Sequence, residues 1–153
     1  MPVTENTSGI HLWLVLWKAA RAVEARADAS IRAIGLCRSD FGVLEALLHK
    51  GPLPVNTIGR KVLLTSGSMT AAVDRLERRG LVRRRPDAAD RRARRVHLTA
   101  AGRKLITRAF QEHERALEET AATLAPKERA ALVRLLKKLG FAAAQENDER
   151  IAS

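Results

Sequence analysis

Arginine is the side chain whose chemistry dominates this sequence, and its placement is uneven. Between Arg75 and Arg108 there are 13 Lys/Arg and 3 Asp/Glu, while the rest of the chain holds 15 basic and 14 acidic residues. A block of a single sign is usually avoided unless it binds something. Guanidinium groups at this density suit a polyanion, and nucleic-acid phosphate comes ahead of a membrane surface. The plain alternative is a solvated basic face that only aids solubility. Other reactive groups are sparse. Cys37 is the one cysteine, and His11, His49, His97 and His113 are scattered, so no zinc-ligand spacing occurs. No Gly-rich phosphate loop, HExxH, paired-carboxylate constellation or nucleophile elbow is present. The Ser66-Gly67-Ser68 triplet opens a helix without a partner base and is no catalytic serine motif. No enzyme activity, metal or cofactor is therefore expected.

The length of 153 residues suits one compact domain, with or without dimerisation elements, and 46% hydrophobic residues suffice for a core. A lone cysteine excludes an intramolecular disulfide framework and fits a reducing cytoplasm. No apolar run approaches the roughly 18 residues that span a bilayer. The stretch Leu12–Trp17 is short and no small-residue cleavage site follows it, so neither a signal peptide nor a membrane partner is expected.

Positioning the basic block requires short elements before it. From Ile10 the apolar residues Leu16, Ala20, Val23, Ala27, Ile31 and Ile34 recur at helical spacing, and Gly35 supplies a stop. Ser39 reads as the cap of a short helix with Phe41, Leu44, Leu47 and Leu48 inward, ended by Gly51-Pro52. A second short helix covers about Val55 to Val62. Thr65 caps a third, where Met69, Val73 and Leu76 face the core and Gly80 ends the run. Three short helices joined by tight turns make a helix-turn-helix unit. Leu81–Arg85 and Arg94–Leu98 flank a turn-rich basic stretch and read as a β-hairpin wing. Thr99 caps a long helix to about Ala122, and Pro126 opens another with Leu132, Val133, Leu135, Leu136 and Leu139 on a broad apolar stripe. Residues 147–153 read as loose. The terminal helices have wide apolar faces that need covering, and a second copy of the chain is the economical partner.

From Leu64 to Gly102 the sequence reads LTSGSMTAAVDRLERRGLVRRRPDAADRRARRVHLTAAG. This resembles the winged helix-turn-helix of the MarR family of bacterial transcriptional regulators. The carriers are TSGSMT opening a helix, DRLERRGLV closing it, DRR at the hairpin tip and V-x-LT-x-x-G starting the next helix. SDFGVLEALLHKGPLP is similar to the preceding helix and turn, and the likeness spans about residues 10–145. The family's usual Asp-Pro before DRR is replaced by Asp87-Ala88-Ala89, which should loosen the turn slightly. The implied architecture is mainly α with a small β-hairpin wing. It has an N-terminal dimerisation helix at 10–34, a DNA-binding domain at 39–98 and C-terminal dimerisation helices at 99–147. The resemblance implies a homodimer of triangular outline on a pseudo-palindromic operator of double-stranded DNA. It also implies a transcriptional regulator, typically a repressor, released by a small phenolic ligand or an oxidant. The alternative is a non-specific architectural, nucleoid-associated DNA binder, separable by its ratio of specific to non-specific affinity.

A helix entering the major groove presents its first turn to base edges, where Ser and Thr can donate or accept. Ser66, Ser68, Thr70 and Ala71 are the candidates, though simple N-capping also explains Ser66 to Thr70. Arg75, two turns beyond Ser68, and Arg79 are expected at backbone phosphates. Arginine at a wing tip suits the strongly negative minor groove, and Arg91 and Arg92 are placed there, with Arg92 favoured. Arg83, Arg84, Arg85, Arg94 and Arg95 alternate along the strands, so only about half can face DNA. Asp90 is expected to pair with a neighbouring arginine and shape the tip. Trp13 and Trp17, one helical turn apart, read as dimer core or as the wall of a small aromatic-ligand site. Cys37 beside Arg38 and before a helix is either a small buried hydrophobe or a redox-sensing thiol.

Overall fold

The computed structural model describes residues 6–62, 66–90 and 92–151. Helix α1 runs Gly9–Arg32, and the Ser8 hydroxyl accepts the His11 N–H at its start. Gly35, at φ 73°, closes it, with the Leu36 N–H returning to the Ile31 carbonyl. Helix α2 (Arg38–Lys50) begins two residues earlier than expected, so Cys37 rather than Ser39 occupies the cap position and makes no side-chain cap bond. The reason is Arg38, whose guanidinium reaches back to Asp28 and Glu24 of α1 and fixes the start of α2 there. The Ser39 hydroxyl is turned instead to Cys37 Sγ and Arg75.

Strand β1 (Leu53–Pro54) was not expected from the sequence. Helices α3 (Val55–Val62) and α4 (Ser66–Arg78) follow, and the expected cap Thr65 lies outside the described residues. Gly80, at φ 68°, turns the chain into β2 (Val82–Pro86), which pairs antiparallel with β3 (Arg94–Leu98). The sheet order is β1-β3-β2, with Leu53 and Arg84 both opposite Val96. A two-residue strand ending in proline fits a sheet edge, since proline has no N–H for a second ladder. Helix α5 (Ala100–Ala121) starts at Thr99, whose hydroxyl donates to the Gly80 carbonyl and accepts the Gly102 N–H. Helix α6 spans Pro126–Ile151, so the segment read as loose from 147 is helical through 151. No glycine or proline follows Gly140, and nothing in Gln145–Ile151 stops helix propagation.

Residues 1–117 and 118–153 form two compact units. In the first, Phe41, Leu44, Leu47, Ile58, Met69, Val73, Leu76, Val82, Val96 and Ile106 are buried in one cluster. It draws on α2, α3, α4, both hairpin strands and α5, so reading helix and wing share a core. Each fully buried Leu or Ile there contributes about 1.5–3 kcal/mol relative to exposure. In the second unit, Glu128 accepts the Ala125 N–H and Arg129 pairs with Glu118 at 2.6 Å, which orders the entry to α6. Among the described residues no helix is long and apolar enough to cross a membrane.

Candidate nucleic-acid interface

Helix α4 divides cleanly by face. Met69, Ala72, Val73 and Leu76 are buried, which turns Ser68, Thr70, Ala71 and Arg78 outward. Ser66 is the first residue of α4, and its side chain lies outside the described residues. Four small or hydroxylated positions at a helix start let a backbone approach another surface closely, as base-edge reading requires.

The arginines of the basic block fall into two groups, those tied to carboxylates and those extended into solvent. Arg75 belongs to the first. Its Nη2 donates to Asp40 Oδ1 at 2.6 Å and to Ser39 Oγ at 3.1 Å. The Asp40 side chain is only 5% exposed, and a buried carboxylate without a partner is strongly disfavoured. Arg75 therefore sits between α2 and α4 instead of reaching out from α4 as the sequence suggested. Arg79 approaches the same carboxylate more loosely, at 4.0 Å from Asp40 Oδ2, with its side chain 43% exposed. Arg84 is held by Asp74 and Glu77, both on α4, and Arg95 by Asp87 and the Pro52 carbonyl.

Strand alternation explains the second group. Arg84 turns toward α4, which leaves Arg83 and Arg85 exposed on β2, and Arg94 is exposed on β3. Arg92 is exposed at the hairpin tip, and Arg91 lies outside the described residues. Among the described residues Asp90 pairs with no arginine side chain at the tip, and a pairing with Arg91 lies outside them. Its carboxylate accepts the Arg92 backbone N–H at 2.9 Å, and its carbonyl accepts the Ala93 N–H at 3.0 Å. A short acidic side chain two residues before an amide closes such a turn readily. The ion pair falls to Asp87, whose carboxyl is held below its usual range by the Ala89 N–H and then by Arg95.

Asp40, Asp74, Glu77 and Asp87 were not singled out from the sequence. For Asp74, Glu77 and Asp87 the available signal was rarity: few acids stand in or beside a block of arginines, and such a carboxylate will find a guanidinium. Asp40, far from the block in sequence, gave no such signal.

Trp13 and Trp17 stack on the exposed face of α1 with ring centroids 6.3 Å apart, and the Arg21 guanidinium lies 5.6 Å from the Trp17 ring. Cys37 is exposed, with its Sγ 3.2 Å from Ser39 Oγ and 3.7 Å from Arg75 Nη2. The cation beside the thiol is thus Arg75, since Arg38 is engaged with α1. Among the described residues no group of three His, Cys, Asp or Glu gathers in a way that could hold a metal.

A reading helix packed on two short helices, followed by a basic antiparallel wing, defines a winged helix-turn-helix DNA-binding protein. The MarR family profile matches residues 34–93. The chain is 35% identical over 136 residues to the HTH-type transcriptional regulator MhqR of Bacillus subtilis, covering 89% of this chain and 94% of that one. Its fold is similar to that of Bordetella bronchiseptica BpsR, whose DNA binding is regulated by 6-hydroxynicotinic acid. The TM-score is 0.73 at 28% identity over 92% of this chain and 98% of BpsR. A MarR family protein from Bacillus stearothermophilus gives a TM-score of 0.73 at 26% identity over 88% and 94%. The chain belongs to the MarR family of transcriptional regulators. It is a regulator and not an enzyme.

Proposed function

We propose that the chain is a homodimeric repressor that reads a pseudo-palindromic operator with two winged lobes and releases it on binding a small aromatic effector or on oxidation. Residues 39–98 are the DNA-binding domain, and 10–34 with 99–147 hold the dimer together. The observation that carries the DNA reading is the sorting of arginines. Arg78 and Arg79 at the C-terminal end of α4, and Arg83, Arg85, Arg92 and Arg94 on the wing, are exposed to solvent. Ser68, Thr70 and Ala71, with Ser66, meet base edges, and Arg92 with Arg91 enters the minor groove beside the wing. The backbone-phosphate role first given to Arg75 passes to these solvent-facing arginines, with Arg94 and Arg79 among them.

Arg92→Ala should weaken operator binding by roughly 1–3 kcal/mol and relax any preference for A·T-rich flanks. Ser68→Ala should change base preference more than it changes binding to random DNA. Equal losses on operator and random duplexes for both variants would mean that reading head and wing are wrongly assigned.

The dimer reading rests on uncovered apolar surface. Ile10, Trp13, Val15 and Trp17 on α1 are 48–76% exposed, and Leu132, Val133, Leu135 and Leu136 on α6 are 41–52% exposed. Stripes of this size are normally covered. Removing residues 1–34 would also strip Ile31 from the lobe core, so it is not a clean test. The double substitution Leu132→Glu and Leu136→Glu should give a folded monomer in sedimentation equilibrium. A dimer as tight as the unsubstituted protein would end this assignment.

Two features support an effector. The hydroxylated aromatic acid that regulates BpsR makes the stacked, exposed pair Trp13 and Trp17 the first place to seek an aromatic ligand. Cys37 is accessible and packed against Arg75, which links it to α4. Oxidation to a sulfenic acid, or a disulfide with a second molecule, would disturb that contact. Mild peroxide or quinone should then lower operator affinity and reductant restore it, with Cys37→Ser indifferent. If wild type and Cys37→Ser respond alike, the effector is non-covalent.

A further inference from the structure

The wing and the reading helix are joined by a contact that the DNA reading has not used. In the sheet order β1-β3-β2, strand β2 is an edge, and an edge strand presents N–H groups with no ladder partner. The Arg84 N–H is one of these, and it donates to Glu77 Oε1 of α4 at 2.9 Å. Glu77 Oε2 accepts from Arg84 Nη1, and Asp74 Oδ1 accepts from Arg84 Nη2 at 2.5 Å. One carboxylate thus grips both the backbone and the side chain of a single strand residue, which fixes the strand's position and its rotation about its own axis. The Glu77 carboxyl is held below its ordinary range chiefly by the Arg84 backbone N–H, with the guanidinium adding to it. Arg84 itself is only 20% exposed, so it is poorly placed to meet phosphate.

Two carboxylates beside a phosphate-binding face weaken attraction to DNA, so a compensating gain is needed. Geometry supplies one. A reading helix in the major groove and a wing tip at the adjacent minor groove must be held at a fixed offset, or the two contacts cannot form together. The shared core sets the base of the hairpin, but the tip lies several residues beyond Val82 and Leu98, and small rotations of β2 are amplified there. Charge-assisted bonds to one carboxylate are short and directional, which suits them to limiting that rotation.

We infer that Glu77 is a positioning residue for DNA recognition: through Arg84 it sets the wing against α4 so that both grooves are engaged at once. This rests on the proposed roles of α4 and Arg92. The test uses the full-length protein, a duplex selected by it from random sequence, and an unselected duplex of equal length and base composition. Glu77→Ala should weaken binding to the selected duplex about tenfold, equivalent to roughly 1.4 kcal/mol. Binding to the unselected duplex should stay equal or tighten, because a negative charge is lost. Glu77→Gln keeps an acceptor for the Arg84 amide and should fall between, which also covers the case where the alanine variant folds poorly. Arg84→Met should reproduce the loss from the other side of the contact.

The decisive reading is a double-substitution cycle, since only groups acting together depart from additivity. Arg92→Ala should cost about tenfold in the wild type and no more than about twofold once Glu77 is Ala. A purely structural Glu77 would leave the Arg92→Ala cost unchanged, and that outcome overturns the inference alone. An Arg92→Ala variant silent in the wild type overturns the wing assignment and this inference with it.

Discussion

Gly102→Ala is expected to be among the most destabilising single-methyl substitutions in the chain. A Cβ built on Gly102 would lie 1.9 Å from the Leu81 carbonyl oxygen and 2.8 Å from its carbon. Both are backbone atoms, so no side-chain rotation relieves the clash. The Leu81 oxygen already accepts the Thr99 N–H at 3.0 Å, and Leu81 is packed into the core at 8% exposure. Either α5 must lift from the hairpin base or the Thr99 bond must break. Overpacking against fixed neighbours costs typically 1–3 kcal/mol. For a chain of this size that lowers Tm by roughly 2–4 °C per kcal/mol, compared at one protein concentration. Gly67→Ala is the internal control. It meets nothing within 4 Å in a helix, so it should be neutral or stabilise by about 0.5–1 kcal/mol. A Gly102→Ala protein that melts with the wild type would show that α5 does not seat on Leu81 this closely.

The Gly102 contact also shows which features were legible in the sequence. The V-x-LT-x-x-G pattern placed a helix start at Thr99, and the hydroxyl caps it as a local rule predicts. That the glycine is needed for contact with a carbonyl 21 positions earlier is a tertiary fact, with no trace in local periodicity. The same division runs through the fold. Ile31, Phe41, Leu44, Met69, Val73 and Leu76 were found by helical spacing and are buried. Strand β1 was missed because two residues carry no period, and its existence depends on pairing with β3.

At the candidate interface, residue type was legible but pairing was not. Alternation along β2 predicted that about half its arginines would turn away, and Arg84 does so between exposed Arg83 and Arg85. Arg75 was expected at a phosphate because it follows Ser68 by two helical turns. Its partner Asp40 stands 35 positions away on another helix, and spacing along α4 says nothing about that. Asp90 accepts the Arg92 backbone amide at the hairpin turn, and among the described residues the arginine pair there belongs to Asp87.

The second large effect expected is on the salt dependence of DNA affinity, and the sorting of arginines sharpens it. Each neutralised phosphate releases counterions, so log affinity falls against log salt with a slope of about −0.9 per phosphate contacted. The solvent-facing arginines on α4 and the wing can supply three to five contacts per protomer, hence about six to ten for a dimer on its operator. Affinity should then fall by about 10³–10⁵ between 50 and 200 mM salt. A nearly flat dependence would place the basic face elsewhere than on DNA. The slope also counts which arginines take part. Arg85→Gln removes an exposed strand cation from both protomers and should reduce the slope by about 2. Arg75→Gln removes a cation already neutralised by Asp40, so it should lower operator affinity by loosening α2 against α4 and leave the slope unchanged. Should Arg75→Gln reduce the slope as much as Arg85→Gln, Arg75 leaves Asp40 for phosphate when DNA binds, and its pairing in the free protein is a resting position.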